Sequence, residues 1–243
     1  MNHSRGLDGV LLVDKASDMT SHDVVAIARR QLRSIGVEKV GHCGTLDPLA
    51  TGLLILTIGR GTKIQDLLMA EDKEYVGTLK LGEITDSQDA DGEIIETRPV
   101  PELSREQLDA AFAKFHGDFY QTPPMVSAIK RAGVPLYKLA RKGQTVEREP
   151  RFVHVYAHEI QAVRLPEVDF RVVCSKGFYV RTYAHDIGEE LGCGAHLRAL
   201  RRTKSGKFSL EHAVTTDALK NGDPKAIVEN VLSLPQVSIL RGA

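Results

Sequence analysis

A dozen residues, Gly41-His42-Cys43-Gly44-Thr45-Leu46-Asp47-Pro48-Leu49-Ala50-Thr51-Gly52, restrict the folding of this chain more than any other stretch. Its glycines let the backbone turn tightly and approach other backbone with no Cβ in the way. Pro48 fixes φ immediately after Asp47 and removes a donor there. The apolar run Leu53-Leu54-Ile55-Leu56-Thr57-Ile58 follows at once, so the turn leads straight into a buried element. Asp47 is thereby placed on a short, rigid loop at the edge of the core. Two readings of that acid are open: a helix cap, where aspartate is favoured, or a carboxylate whose direction matters.

The surrounding pattern mixes strands and helices. Residues 9–15 read as a buried strand ending in a polar turn. Ser21 reads as a helix cap, Val24, Val25, Ala28, Leu32 and Ile35 recur at helical spacing, and Gly36 stops the helix. The run Leu53 to Ile58 fits strand and helix equally. Residues 73–81 alternate as a strand, and Ser104 opens a helix carried by Leu108, Ala111, Phe112 and Phe115. Residues 153–163 and 167–174 read as neighbouring strands, and 180–191 as a helix. A short helix is expected from Ala195 to Arg202, with further helical stretches at 214–219 and 224–232. Without strict strand–helix alternation, the class is α+β with a mixed, mostly antiparallel central sheet flanked by helices. Residues 122–150 carry Pro123, Pro124, Gly133, Pro135, Gly143 and Pro150, and read as a long excursion from the core with one short helix near 136–141.

Charge is balanced in total, 32 basic against 32 acidic residues, but not in distribution. Residues 196–207 hold Arg198, Arg201, Arg202, Lys204 and Lys207 with no acid. Residues 130–151 hold seven basic residues against Glu147 and Glu149. Such segregation can build a phosphate-binding face on a neutral protein, although each cluster alone also reads as a solvated surface. The three cysteines, Cys43, Cys174 and Cys193, lack paired spacing, which fits a reducing, cytoplasmic setting. Neither a signal peptide nor an apolar stretch of membrane-spanning length is visible.

Several chemistries lack their parts. No Gly-x-Ser-x-Gly elbow is present, and Gly59-Arg60-Gly61-Thr62-Lys63 has the wrong order for a phosphate loop. Cys193, His196 and His185 have no partners at zinc spacing. The acids of Asp86-Ser87-Gln88-Asp89-Ala90-Asp91-Gly92 lack the closing glutamate of a calcium loop and read as a polar turn. The run Cys174-Ser175-Lys176-Gly177-Phe178-Tyr179-Val180-Arg181-Thr182 offers a turn, a flat ring and a guanidinium. Arg181 brought near Asp47 would hold that acid ionised. Tyr75 offers a ring for stacking on a base. Core tyrosine, edge-strand aromatic and surface arginine are the structural alternatives.

Taken together, these runs resemble the TruB-type family of tRNA pseudouridine-55 synthases. The matching pieces are residues 9–15, the Gly41–Gly52 loop, Lys73-Glu74-Tyr75, residues 86–92, Ser127-Ala128-Ile129-Lys130, residues 174–181 and Gly192-Cys193-Gly194-Ala195-His196-Leu197. They occur in family order over residues 9–205, and the Asp47 motif is the specific one. The resemblance implies a pseudouridine-synthase fold and the isomerisation of uridine 55 in the tRNA T loop, with no cofactor and no metal. It implies that Asp47 is the catalytic aspartate, that Tyr75 stacks on the target uracil and that Tyr179 is a second pocket tyrosine. It further implies that Arg181 partners the aspartate, that Lys130 and Leu200 line the pocket, and that His42 fills the gap left by a flipped-out base. Residues 122–150, with Arg141 and Lys142, match an RNA-gripping insertion. Arg201 and Arg202 belong to the second basic cluster expected to touch RNA.

Two residues depart from the family pattern: Cys43 stands where threonine is common, and Ala16 replaces a proline. The expectation is one catalytic domain over residues 1–243, without the small C-terminal RNA-binding domain (PUA type) of many relatives. The expected partner is the T arm of tRNA, bound by a monomer that needs no protein partner and no membrane. The rival reading is a non-catalytic RNA-binding module on the same scaffold.

Overall fold

The computed structural model describes residues 7–127, 130–131, 134–135 and 146–242, the short segments 130–131 and 134–135 as backbone. In chain order the first elements are β1 (Gly9–Lys15), α1 (Ser21–Leu32), β2 (Val40–Cys43), β3 (Thr51–Ile58), α2 (Gln65–Met69), β4 (Lys73–Leu81), β5 (Glu83–Thr85), β6 (Ile94–Thr97) and α3 (Arg105–Ala113). Next come β7 (Gly117–Gln121), β8 (Lys130–Arg131), β9 (Val134–Pro135), β10 (Arg151–Arg164), β11 (Glu167–Cys174), α4 (Val180–Glu190) and β12 (Ala195–Ser205). The chain continues through β13 (Phe208–Ser209), β14 (Val214–Thr215), α5 (Thr216–Asn221), α6 (Pro224–Glu229), β15 (Leu232–Ser233) and α7 (Leu234–Arg241). The helix expected near 136–141 lies outside the described residues. Two compact units emerge: Met1–Glu74 with Arg201–Ala243, and Tyr75–Leu200.

In the first unit, β1 lies between β14, parallel to it, and β3, antiparallel to it. The start of β3 pairs in parallel with Arg201 and Arg202 of β12, while β2 pairs antiparallel with the rest of β3. Every residue of β3 after Thr51 is buried. A strand covered on both faces reads as an unbroken apolar run, which is why periodicity alone leaves Leu53 to Ile58 open between strand and helix. Val10, Leu12, Leu53 and Ile55 form one core cluster with Cys43, Leu68, Phe208 and Val237. Cys43 is 2% exposed, and burial pushes its thiol up to about 12.

Helix α1 begins at Ser21 itself, so its cap lies one residue before the expected position. Thr20 is the N-cap: its Oγ1 accepts from Asp23 N, and Thr20 N donates to Asp23 Oδ2 at 2.8 Å. These bonds satisfy otherwise orphaned donors of the first turn and hold the Asp23 carboxyl below its usual range. Val24, Val25, Ala28 and Leu32 form the buried stripe. Gly36, at φ +82°, closes the 3₁₀ turn after the helix, a conformation that glycine adopts without a Cβ penalty.

The second unit carries the order β12-β4-β11-β10-β7, with β10 antiparallel to both neighbours. Its core is aromatic. Tyr183 of α4 is fully buried and lies 5.3–6.1 Å, ring centre to ring centre, from Phe112, Phe115, Phe170 and Phe178. Burial pushes its phenol up. Residues 195–205 form strand β12 where a helix is expected from Ala195. Neighbouring strands supply that segment with ladder partners, and tertiary pairing overrides the local pattern. Most of these ladders are antiparallel, as the α+β reading requires.

Candidate active site

The Asp47 loop is bolted from three sides within the first unit. Ser21, 1% exposed, turns inward instead of capping its helix. Its Oγ donates to Leu46 O at 3.1 Å and accepts from Leu46 N at 2.9 Å. Lys15, fully buried at the end of β1, donates to Pro48 O at 3.2 Å, to Met19 O at 2.7 Å and to Ala16 O at 2.8 Å. Asp18 N also donates to Pro48 O, at 3.0 Å, and Ala50 N donates to Asp47 O at 3.1 Å. The residues on both sides of Asp47 are therefore tied, and the half-buried aspartate between them has little backbone freedom. A charged donor on neutral carbonyls makes the stronger kind of hydrogen bond, and Lys15 spends its charge this way.

Arg202 is the third bolt, and it corrects an expectation. The sequence places it in a basic cluster that should touch RNA. The structure places it 1% exposed, with Nε donating to Leu53 O at 2.7 Å and Nη2 to Gly44 O at 3.1 Å. Its guanidinium fork bridges the two ends of the glycine loop, so it is a structural group inside the unit. Gly44, at φ +80°, leaves room for it. Gly52 is needed for a sharper reason: φ is +97°, and a Cβ there would stand 2.3 Å from Arg202 O. Arg201 stays on the surface, but as a bidentate partner of Asp14, at 2.9 and 2.7 Å.

His42, on β2, is half-buried, and its ring meets the His22 ring edge-on, with centroids 5.2 Å apart. Its Nδ1 is buried without a hydrogen-bond partner. Burial, then the charges of His22 and Arg202, press its pKa down to about 4. The imidazole is therefore neutral at neutral pH.

The second unit carries the tyrosines and Arg181. Tyr179 precedes α4, and Gln121 clamps its backbone: Tyr179 N donates to Gln121 Oε1 at 2.7 Å, and Gln121 Nε2 donates to Tyr179 O at 3.0 Å. Arg181 is 3% exposed and donates to Ser87 O at 3.0 Å and to Val126 O at 2.6 Å. Asp89 lies 3.5 Å from its Nε. The segment 86–92 is a turn, as expected, but Asp89 within it is buried rather than solvated. Tyr75 and Gly77 share one face of β4, and Leu200 Cδ1 comes within 3.4 Å of where a Gly77 Cβ would stand. Leu200 thus packs on the face that carries Tyr75. Arg141 and Lys142 lie outside the described residues, as does the side chain of Lys130.

Sequence reasoning missed Lys15, Ser21 and Gln121 as positioning residues. Lys15 has one readable signal, a lysine two residues past the apolar run Val10 to Val13. Ser21 and Gln121 have none, because their partners lie 25 and 58 residues away.

Comparison with known proteins identifies the scaffold. Residues 30–180 match the TruB family pseudouridylate synthase (N terminal domain), and residues 181–232 match the tRNA pseudouridylate synthase B C-terminal domain. A tRNA pseudouridine synthase B of Opitutus terrae is 60% identical over 214 residues, covering 88% of each chain. One from Burkholderia lata is 55% identical over 219 residues, covering 90% of this chain and 67% of the relative. Among solved structures, a Cbf5-Nop10-Gar1 complex aligns with 98% of this chain at a TM-score of 0.72 and 28% identity, and this chain spans 63% of that one. An H/ACA RNP bound to a substrate RNA containing 2'-deoxyuridine aligns at a TM-score of 0.69 and 26% identity, covering 96% of this chain and 61% of that one. With a family match over most of its length and relatives that share more than half of its residues, the chain belongs to the TruB family of pseudouridylate synthases.

Proposed function

We propose that this chain converts uridine 55 in the T loop of tRNA to pseudouridine, with Asp47 as the catalytic carboxylate. The observation that carries this reading is the immobilised Asp47 loop, held at Leu46 by Ser21 and at Pro48 by Lys15. The reaction breaks the N1–C1′ bond, turns the uracil and joins C5 to C1′; C5 gives up its proton to solvent and N1 takes one up. It is redox-neutral and adds no atoms. The requirement is a fixed acid and a closed pocket for the loose base. Whether the acid attacks covalently or removes a sugar proton, misplacement by about 1 Å costs about a hundredfold in rate.

In this reading Tyr75 stacks on the uracil with Leu200 beneath it, Tyr179 handles protons, and Lys130 lines the pocket. Arg181 is proposed as the partner of Asp47. His42 is proposed to fill the stack that the target base vacates. A neutral ring suits that place, because it can enter the base stack without desolvating a charge. Flipping costs a few kcal/mol, and basic groups of residues 122–150, among them Arg141 and Lys142, are proposed to offset it through phosphate contacts. A cytoplasmic setting is part of the same proposal.

The purified chain alone, given an unmodified tRNA transcript tritiated at uracil C5, should release tritium without added metal, cofactor or protein. Asp47→Asn should release none while binding the transcript as tightly as before. Normal release by that variant would remove Asp47 from its role. An intact chain that binds the transcript and never releases tritium would instead be an RNA-binding module.

A further inference from the structure

Strands β7 and β10 present an aromatic face that the proposed chemistry leaves unused. Phe152, His154 and Tyr156 alternate along β10, and the ladder places Tyr120 opposite Phe152 and Asp118 opposite His154. Val153 and Val155 fill the core side, 1% and 0% exposed, so the residues between them face outward. A register shift between Val155 and Ala157 makes Tyr156 the extra residue of a bulge. Tyr120, Phe152 and Tyr156 are 71%, 60% and 47% exposed, and among the described residues they are the only Phe or Tyr rings so exposed. The rings are gathered: Tyr120 and Phe152 lie 5.6 Å apart, His154 and Tyr156 4.4 Å apart, and Asp118 Oδ1 sits 2.6 Å from His154 Nδ1.

Large rings left together in water mark a surface that something covers. The registered face carries no leucine, isoleucine or methionine; it offers π-surfaces and small polar groups. Two exposed cations stand beside it among the described residues. Arg151 is exposed at the start of β10. Lys176 is exposed one residue past Ser175, whose N donates to His154 O at 2.9 Å. Rings for stacking beside cations for phosphates are the two components of a single-strand RNA surface.

We propose that Tyr120, Phe152 and Tyr156 form a stacking platform for unpaired bases of the RNA substrate, a contact beyond the pocket residues named above. The proposal rests on the tRNA-modifying reading. Affinity of the full chain for an unmodified tRNA transcript, read by fluorescence anisotropy at fixed salt, tests it. Phe152→Ala combined with Tyr120→Ala should raise Kd about tenfold, with kcat at saturating RNA and Tm little changed. Phe152→Leu, which keeps apolar bulk without a π-face, should bind as poorly as Phe152→Ala, and Phe152→Tyr should bind as the unaltered chain does. An unchanged Kd in the double variant overturns the platform, as does full affinity in the leucine variant. A dimer of the unaltered chain that Phe152→Ala turns into monomer at unchanged Kd gives the face to a second copy and also overturns it. Tritium release by the unaltered chain is read in parallel. An inactive unaltered chain refutes the enzymatic reading, whereas an active one with unchanged variant affinity refutes only the platform.

Discussion

Thr20 and Ser21 are neighbours with separate duties, and replacing each in turn isolates the positioning of Asp47. Ser21→Ala removes the hydroxyl that donates to Leu46 O and accepts from Leu46 N, at a site 1% exposed. A buried N–H left without a partner costs about 1–3 kcal/mol, and the Leu46 carbonyl loses its partner as well. A total near 3 kcal/mol lowers Tm by about 6–12 °C for a chain of this length. Thr20→Ala removes only the N-cap, at about 1 kcal/mol, or about 2–4 °C. The stability effects differ by a factor of about three, but the activity effects should differ in kind. Freed at Leu46, the Asp47 loop can shift, and kcat should fall about 10- to 100-fold. Thr20→Ala leaves both Leu46 bonds in place and should keep its kcat. Single-turnover tritium release, assayed well below either Tm with RNA affinity measured beside it, reads the difference. Equal kcat in both variants, with the Ser21→Ala melting drop present, would refute the claim that Ser21 positions the aspartate.

Three further outcomes follow from the same geometry. Gly52→Ala combines a left-handed φ, worth about 1–2 kcal/mol, with a Cβ driven into the Arg202 backbone, worth about 1–3 kcal/mol. Thermal melting should drop by more than about 4 °C, and a variant that melts with the original would void the close-approach argument. Arg202→Lys replaces a fork on two buried carbonyls by a single ammonium, and should lower the unfolding free energy by about 1.5–3 kcal/mol, read as a lower urea midpoint at unchanged m. A surface phosphate contact would instead leave the midpoint alone and reduce the salt dependence of RNA binding. Burial lowers the His42 pKa from the ordinary 6.5 to about 4, so above pH 6.5 both folded and unfolded chains hold it neutral. As pH falls through 6.5 the unfolded chain gains a proton that the folded chain refuses, and stability is lost down to about pH 4. His42→Gln should therefore narrow its stability gap from the original, or overtake it, by about 1 kcal/mol between pH 7 and pH 5, the figure being discounted for partial exposure. A gap that stays constant with pH would contradict a buried neutral imidazole.

Much of the first unit can be read before folding. Glycines 41, 44 and 52 around Asp47, the proline after it and the apolar run behind it already describe a rigid loop entering a core strand. Residues 9–15, 73–81, 153–163 and 167–174 read as strands because side chains alternate or stay apolar over the right length, and they fold so. The misreadings have specific causes. Ser21 and Thr20 are both good caps, and only the contact with Leu46 shows which one turns inward. Residues 195–202 lack a clear period, and strand partners decide their state. Arg202 stands among cations in the sequence, and only its insertion behind Gly44 removes it from the surface.

The local chemistry of the chain thus determines where it turns, where it must be buried and which acid sits on the rigid loop, since these depend on φ preferences and on apolar runs a few residues long. Tertiary structure decides which polar groups are spent inside. Lys15, Ser21, Gln121 and Arg202 each satisfy backbone groups of a distant segment, because a buried carbonyl or N–H must find a partner wherever the fold brings one. It also decides which rings remain outside. Tyr120 and Phe152 meet in water because the β7–β10 register aligns them while their neighbours fill the core.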